Sequence, residues 1–187
     1  MITTNQFKNG NHIDVDGVVF KILEFQHVKP GKGSAFVRTR LKNVKSGATV
    51  ERTFRAGEKL ERATVDNRDM QMLYNDDDGF HFMDVESFEN VTLQRDLIGD
   101  PADFLKDGMK VQVQFHDGTP IGVDLPAHVE LRVEETDPGF KGDTATGTTK
   151  PAKLETGSSV QVPLFVNPGD LIRIDTRDRR YIGRVNS

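Results

Sequence analysis

The sequence predicts an all-β protein built as three small β-barrels in series. Short runs of alternating apolar and polar residues recur along its 187 residues, and this alternation is typical of strands with one buried face. Turn signals such as Asp117-Gly118 and Pro168-Gly169 separate the runs at the spacing of all-β barrels. The chain has a basic first third, an acidic middle third and a neutral last third, which indicates three modules.

The charge of each third sets the predicted module boundaries near Thr64 and Ala127. Residues 1–64 carry 12 Lys+Arg and 6 Asp+Glu, residues 65–127 carry 4 and 14, and residues 128–187 carry 9 of each. We therefore expect modules at 1–64, 65–127 and 128–187. Each has about 60 residues, which is marginal for an independent core, so neighbouring modules are expected to pack on each other.

Alternation and turn signals predict ten strands in the intervals between Gly, Pro, Asn and Asp clusters. These strands cover residues 18–23, 37–41, 49–54, 71–74, 80–83, 111–115, 129–133, 160–166, 171–175 and 181–185. Helical periodicity is confined to residues 86–90 and 100–106. The second segment opens with Asp100-Pro101, a cap residue followed by proline at the first helical position.

The composition excludes several classes of protein. The chain has no cysteine, so it has no disulfide, thiolate metal site or cysteine nucleophile, as is common in a reducing compartment. No apolar leader follows Met1, and no run approaches the ~18 apolar residues of a membrane span. We therefore expect a cytoplasmic protein with no membrane partner.

The first candidate functional residue is Lys32, at the centre of Lys29-Pro30-Gly31-Lys32-Gly33-Ser34. Pro30 fixes its own φ and the glycines tolerate positive φ, so this segment between two predicted strands is interpreted as a hairpin tip. An ordinary exposed turn lysine would fit the local sequence equally well. The flanking charge favours function, because residues 25–50 contain six basic residues and no acidic one, which is typical of a polyphosphate-binding surface.

Two further groups of basic residues are candidate RNA contacts. Alternation places Arg38, Arg40 and Lys42 on one face of a strand and Val37, Thr39 and Leu41 on the other. Near the C-terminus, Tyr181 can stack on a base amid clustered arginines. A solvated barrel edge is the alternative interpretation of that cluster, whose arginines are Arg173, Arg177, Arg179, Arg180 and Arg184.

Other motifs give no prediction of catalysis, metal or cofactor. Aligning Gly79 with the sixth position of a calcium loop puts Tyr74 and Val85 where acidic ligands are needed. The glycines at 142 and 147 have P-loop spacing, but Thr148 replaces the lysine. The histidines lack metal-ligand spacing. We predict no catalytic residue, no metal and no cofactor, and therefore no enzyme.

At this point the chain resembles bacterial elongation factor P along its whole length. In the first module the resemblance rests on Val28-Lys29-Pro30-Gly31-Lys32-Gly33 and Ala35-Phe36, and in the third on the segment from Thr136 to Thr144. The most specific match is Lys150-Pro151-Ala152, then Gly157, the segment from Val160 to Val166, and Gly169.

The resemblance implies a KOW-like first barrel, two OB-fold barrels and an L-shaped, tRNA-like outline. It implies a monomeric elongation factor that binds the 70S ribosome between the peptidyl and exit sites and stimulates peptide bond formation at consecutive prolines. Its partners would be peptidyl-tRNA, rRNA and an enzyme that modifies Lys32. The implied contacts are Lys32 at the tip with Lys29, Pro30, Gly31, Gly33, Arg38, Arg40 and Lys42 around it, Gly142, Asp143 and Thr144 near the exit-site codon, and Tyr181 and Arg184 near the anticodon arm or the small subunit.

Two alternatives stay open at this stage. One is a general KOW/OB RNA-binding protein of transcription or ribosome assembly, in which the basic residues share the binding energy. The other, a hydrolase or transferase, would need a pocket of clustered titratable groups. Whether Lys32 is extended by a modification does not follow from the sequence.

Overall fold

A computed structural model describes residues 1–138 and 149–185 of the protein. Three antiparallel sheets contain nearly all of its regular structure, which confirms the all-β prediction. The strands of the first sheet are β1 (Ile2–Thr3), β2 (His12–Val15), β3 (Val18–Val28), β4 (Phe36–Asn43), β5 (Thr49–Arg55) and β6 (Lys59–Arg62). Their spatial order is β1-β6-β2-β3-β4-β5.

The other two sheets have five strands each. The second has the order β11-β10-β7-β8-β9 and consists of β7 (Asp66–Asp76), β8 (Gly79–Asp84), β9 (Asn90–Leu93), β10 (Lys110–His116) and β11 (Thr119–Asp124). The third has the order β14-β13-β12-β15-β16 and consists of β12 (His128–Thr136), β13 (Thr149–Leu154), β14 (Ser159–Pro163), β15 (Leu171–Asp175) and β16 (Arg180–Arg184).

The ten predicted strands all occur, and the sequence missed six others. The missed strands are β1, β2, β6, β9, β11 and β13, most of them too short to display alternation. The strand predicted over 160–166 ends at Pro163, and the Val166 N–H instead donates to the Pro163 carbonyl at 3.2 Å in a turn. Alternation therefore predicted where the longer strands lie but not the residues at which they end.

The helix predicted over residues 86–90 is wrong, because this segment is a turn that leads into β9. Asp84 Oδ1 accepts the backbone N–H groups of Glu86 at 2.8 Å and Ser87 at 3.2 Å. Phe88 then adopts a left-handed φ of 63°. The aspartate side chain thus offers the backbone an alternative to helical hydrogen bonds.

The second predicted helix lies where expected but is a 3₁₀ helix, Asp100–Phe104. A short α-helix precedes it, α1 (Arg95–Ile98). Its four residues are too few to show a periodic pattern, so hydrophobic periodicity does not predict this helix. Within residues 1–138 and 149–185, no helix has the length and apolar character needed to cross a membrane.

The described residues group into two compact units. The first consists of Met1–Arg68, Leu93–Gly99 and Val113–Gly122, and the second of Asp69–Thr92, Asp100–Gln112 and the described residues of Val123–Ser187. The module boundaries near Thr64 and Ala127 stay predictions, because this grouping measures packing and not independent folding.

Two apolar cores carry the first and third sheets. The first contains the fully buried Ile13, Ile22 and Leu41, which alternate with outward residues as the strand pattern predicts. The core of the third sheet contains Leu131 and the buried Phe104, which comes from the 3₁₀ helix.

His12 is a polar residue enclosed in the first unit. Its side chain is only 7% exposed, and Nε2 has no hydrogen-bond partner among the described residues. Burial, with help from the nearby charges of Lys21 and His116, lowers the pKa of His12 from 6.5 to about 4. The imidazole is therefore neutral in the folded protein at pH 7.

This pKa predicts that His12 makes the protein less stable in mild acid. Between pH 6.5 and 4 the unfolded chain binds a proton at His12 that the folded chain does not, so stability falls as the pH falls. We expect His12 to account for about 2 kcal/mol of the free energy of unfolding lost between pH 7 and pH 5.

Urea unfolding of the wild type and of His12→Leu at both pH values measures this contribution. The variant should lose less stability on acidification than the wild type by that amount. The matched control is Ile13→Val in the same strand and core, which removes no titratable group and should show the pH dependence of the wild type. Equal pH dependence of all three proteins would contradict the assignment.

Candidate nucleic-acid interface

The hairpin of β3 and β4 presents Lys32 to solvent. The two strands pair antiparallel as far as Val28 opposite Phe36, so residues 29–35 form the connecting loop. Lys32 is exposed, as are both flanking glycines. Among the residues that the structure describes, Lys32 has neither a hydrogen bond nor an ion pair. Its ammonium is available to an external partner.

The loop conformation depends on Gly33. Its φ of +101° lies in the region that L-residues rarely adopt, whereas Gly31 has no positive φ. A Cβ built on Gly33 would meet only Pro30 Cγ, at 4.0 Å, and one built on Gly31 would meet nothing within 4 Å. The requirement for glycine at 33 is therefore conformational and not a matter of space.

Aromatic rings stiffen the base of the hairpin. Phe25 makes edge-to-face contacts with His27, at 5.6 Å between ring centroids, and with Phe7, at 6.1 Å. Phe7 makes a third such contact with Phe54 on β5, at 6.0 Å. Because edge-to-face pairs add to the energy of burial, they hold β3 on the barrel below the loop.

The predicted alternation along β4 is confirmed. Val37, Thr39 and Leu41 are buried, whereas Arg38 and Arg40 are exposed. The two arginines line a groove of about 380 Å³ on the outer face of the first sheet. Its full lining is Glu24, Phe25, Gln26, Arg38, Thr39, Arg40 and Glu51.

Two glutamates lie beside the basic stripe, which the sequence did not indicate. Arg40 forms an ion pair with Glu24 at 3.2 Å, and Glu51 is the β5 residue opposite Arg40. In the part of the chain that the structure describes, Arg38 has no ion pair. Cross-strand neighbours therefore neutralise Arg40 and leave Arg38 as the free guanidinium of the groove.

Lys42 continues the stripe in sequence but is engaged within the first unit. It is half-buried, and its Nζ donates a hydrogen bond to the Leu97 carbonyl at 2.5 Å. The neighbouring Gly47 packs so closely on α1 that a Cβ would lie 2.8 Å from the Asp96 carbonyl oxygen. Lys42 thus fastens α1, and its contact with RNA stays a prediction.

The C-terminal candidates also have partners within the protein. Tyr181 is half-buried and packs against the core of the third sheet. Arg184 lies over the Phe165 ring, 4.6 Å from its centroid, and 3.7 Å from the Asp170 carboxylate. Three other arginines of this cluster form ion pairs, Arg173 with Glu130, Arg179 with Asp103 and Arg180 with Asp178.

The three residues predicted to lie near the exit-site codon add nothing to this geometry. Gly142, Asp143 and Thr144 lie outside the described residues. Within the described ranges, no three His, Cys, Asp or Glu side chains come together in a way that could hold a metal ion. Of the predicted contact residues, Lys32 and Arg38 are exposed and have no ion pair among the described residues.

Three family models match consecutive parts of the chain. The Elongation factor P (EF-P) KOW-like domain matches residues 3–60, the Elongation factor P (EF-P) OB domain matches 65–123, and the Elongation factor P, C-terminal model matches 129–184. These matches confirm the KOW-like and OB domains that the resemblance implied.

Curated relatives match the chain over nearly its whole length. Elongation factor P of Natranaerobius thermophilus is 57% identical over 99% of this chain and 98% of its own. Elongation factor P of Moorella thermoacetica is 58% identical over 99% of this chain and all of its own, 100%. Among solved structures, eukaryotic translation initiation factor 5A from Methanococcus jannaschii has a TM-score of 0.47 at 25% identity and covers 64% of this chain and 88% of that chain.

The family models and the curated relatives together identify the chain as a translation elongation factor. The chain belongs to the elongation factor P family.

The geometry of the loop predicts that its two glycines respond differently to alanine. Gly33→Ala should lower the free energy of unfolding by about 1 kcal/mol, because an L-residue is strained at this φ. Gly31→Ala has room and an ordinary φ, so it should change stability by no more than about 0.5 kcal/mol. Urea denaturation of the two variants compares them directly, and equal effects would contradict the described loop.

Proposed function

We propose that the protein binds the ribosome between the peptidyl and exit sites and stimulates peptide bond formation at consecutive prolines. The observation that carries the proposal is the exposed, unpaired Lys32 at the end of a stiff hairpin. Family membership supports this function over a general RNA-binding protein.

The proposed mechanism is positional. Proline is a poor partner in peptide bond formation, because its ring restricts the chain and hinders its nitrogen. The Lys32 ammonium donates hydrogen bonds to phosphate or ribose oxygens of the peptidyl-tRNA near its acceptor end. Holding the reactants in attack geometry removes part of the entropic barrier, which amounts to several kcal/mol when the orientation is good. The ribosome supplies the chemistry.

The surroundings of Lys32 suit this role. Gly31 and Gly33 carry no side chain that would keep the tip away from RNA, and the aromatic base limits the motion of the loop. Arg38 and Lys29 add positive charge on the same hairpin, which favours the approach of a polyanion. Because Lys32 is accessible, the same position suits an enzyme that extends its side chain.

Synthesis of a Pro-Pro-Pro peptide in a reconstituted translation system tests the function. We expect Lys32→Ala to abolish the stimulation, because the variant loses the one group that reaches the peptidyl-tRNA. The matched control is Lys59→Ala, an exposed lysine on β6 of the same sheet and outside the basic stretch of residues 25–50, which should stimulate like the parent protein.

The state of Lys32 is settled by comparing two preparations in this assay. Protein made without modifying enzymes should stimulate if the bare lysine suffices, whereas stimulation only by protein from its native cells would require an extension. Full stimulation by Lys32→Ala would contradict the proposed mechanism.

The ion pair of Arg40 predicts an order of effects on RNA affinity. Removing the unpaired Arg38 should weaken ribosome binding by about 3–10-fold and reduce the salt slope by about one unit, as expected for one phosphate contact. Arg40→Ala should weaken binding less, because Glu24 already offsets its charge. Binding measured at several salt concentrations gives both quantities. A larger effect at Arg40 would contradict this assignment.

A further inference from the structure

The core of the third sheet is completed by a side chain from outside that sheet. Phe104, at the end of the 3₁₀ helix between β9 and β10, is 1% exposed. It belongs to the same core as Leu131, Leu154 and Ile172. A segment of about 60 residues has a marginal core, so the loss of one buried aromatic ring would matter to it. The third sheet and the 3₁₀ helix therefore pack as one body within the second unit.

Asp103 binds two turns of the third sheet at once. Its carbonyl oxygen accepts hydrogen bonds from Thr156 Oγ1 at 2.6 Å and Ser158 Oγ at 2.7 Å, both in the β13–β14 turn. Its carboxylate accepts a hydrogen bond from Arg179 Nη2 at 2.7 Å, in the β15–β16 turn. One residue thus connects the 3₁₀ helix to both turns.

Arg179 makes further contacts between the β15–β16 turn and the 3₁₀ helix. Its guanidinium lies 4.8 Å from the centroid of the Phe104 ring, and Nη1 donates to the Asp100 carbonyl at 3.2 Å. Its φ of 56° is left-handed, a conformation that non-glycine residues adopt mainly in turns. From the β15–β16 turn its guanidinium reaches the 3₁₀ helix.

We propose that Asp103, Phe104 and Arg179 form a rigid joint and that Asp103 and Arg179 are positioning residues of the translation factor. The positioning role rests on the proposed function, whereas the rigidity of the joint can be tested without it. A factor that acts by holding another molecule in place must not bend at its own joints. Flexibility there would be lost on binding and would weaken the complex.

Stability alone does not account for the contact. The Arg179–Asp103 pair is about one-third exposed on both sides, at 37% and 32%, and such pairs add little to folding stability. The three contacts of Arg179 instead fix the orientation of the 3₁₀ helix on the third sheet, since an ion pair, a carbonyl hydrogen bond and a contact with the Phe104 ring restrict three different motions. We therefore expect loss of Arg179 to change orientation more than stability.

The absence of cysteine in the sequence allows a direct measurement of the joint. Spin labels at Asp77→Cys, in the β7–β8 turn, and Lys153→Cys, on β13, report the distance between exposed positions on either side of it. Electron–electron double resonance should give a narrow distance distribution in the parent protein. Arg179→Ala should broaden it roughly two-fold as the restraints are lost.

The same variants are then tested in the Pro-Pro-Pro assay. Arg179→Ala should raise the factor concentration for half-maximal stimulation by about five-fold and leave the maximal rate unchanged, because the tip is intact. The matched control is Lys110→Ala, which removes an exposed basic residue at the start of β10, outside the C-terminal arginine cluster. It should alter neither the distance distribution nor the half-maximal concentration.

Two results would overturn the proposal. A distance distribution of parental width in Arg179→Ala would exclude the joint, and a broadened one with an unchanged half-maximal concentration would exclude its positioning role. If Arg179→Ala fails to unfold cooperatively in urea, Asp103→Asn carries the same test, since it keeps the carbonyl contacts and removes the charge. Failure of the proposed function would appear separately, as full activity of Lys32→Ala, while the distance measurement still decides the joint.

Discussion

The pairing of β3 with β4 is the constraint on which the candidate interface depends. Because side chains alternate along a strand, burying Val37 and Leu41 in the first core forces Arg38 and Arg40 outward. Because pairing extends to Val28 opposite Phe36, the remaining loop is short and Lys32 lies at its centre. The same backbone hydrogen bonds therefore set the core, the basic stripe and the exposed tip.

The spatial arrangement of charge differs from its arrangement along the chain. Counting residues suggests two basic regions, one in the first third and one near the C-terminus. In the folded protein, Glu24 pairs with Arg40, and acidic side chains pair with Arg173, Arg179, Arg180 and Arg184. The hairpin keeps three basic residues without an ion pair among the described residues, Lys29, Lys32 and Arg38, and this charge favours the approach of a polyanion.

In the second unit, residues from outside the third sheet complete its core and bind its turns. Phe104 completes the third core from the segment before β10, and Asp103 binds two turns of the third sheet. The expectation that modules of this length pack on one another thus has a specific form in the second unit. When Phe104 fills the core of the third sheet, it also restricts how the 3₁₀ helix can lie on that sheet, because protein cores are closely packed.

The sequence by itself determined the longer strands and the Lys32 hairpin, because alternation and turn chemistry are local properties. It also carried the family motifs. Only the tertiary structure decided the roles of Lys42 and Arg179, whose partners are far away in sequence. The turn at Glu86 is local, since the Asp84 side chain accepts its N–H, but hydrophobic periodicity did not indicate it. Local patterns specify which face of a strand is buried, but ion pairs and shared cores depend on residues that meet only after folding.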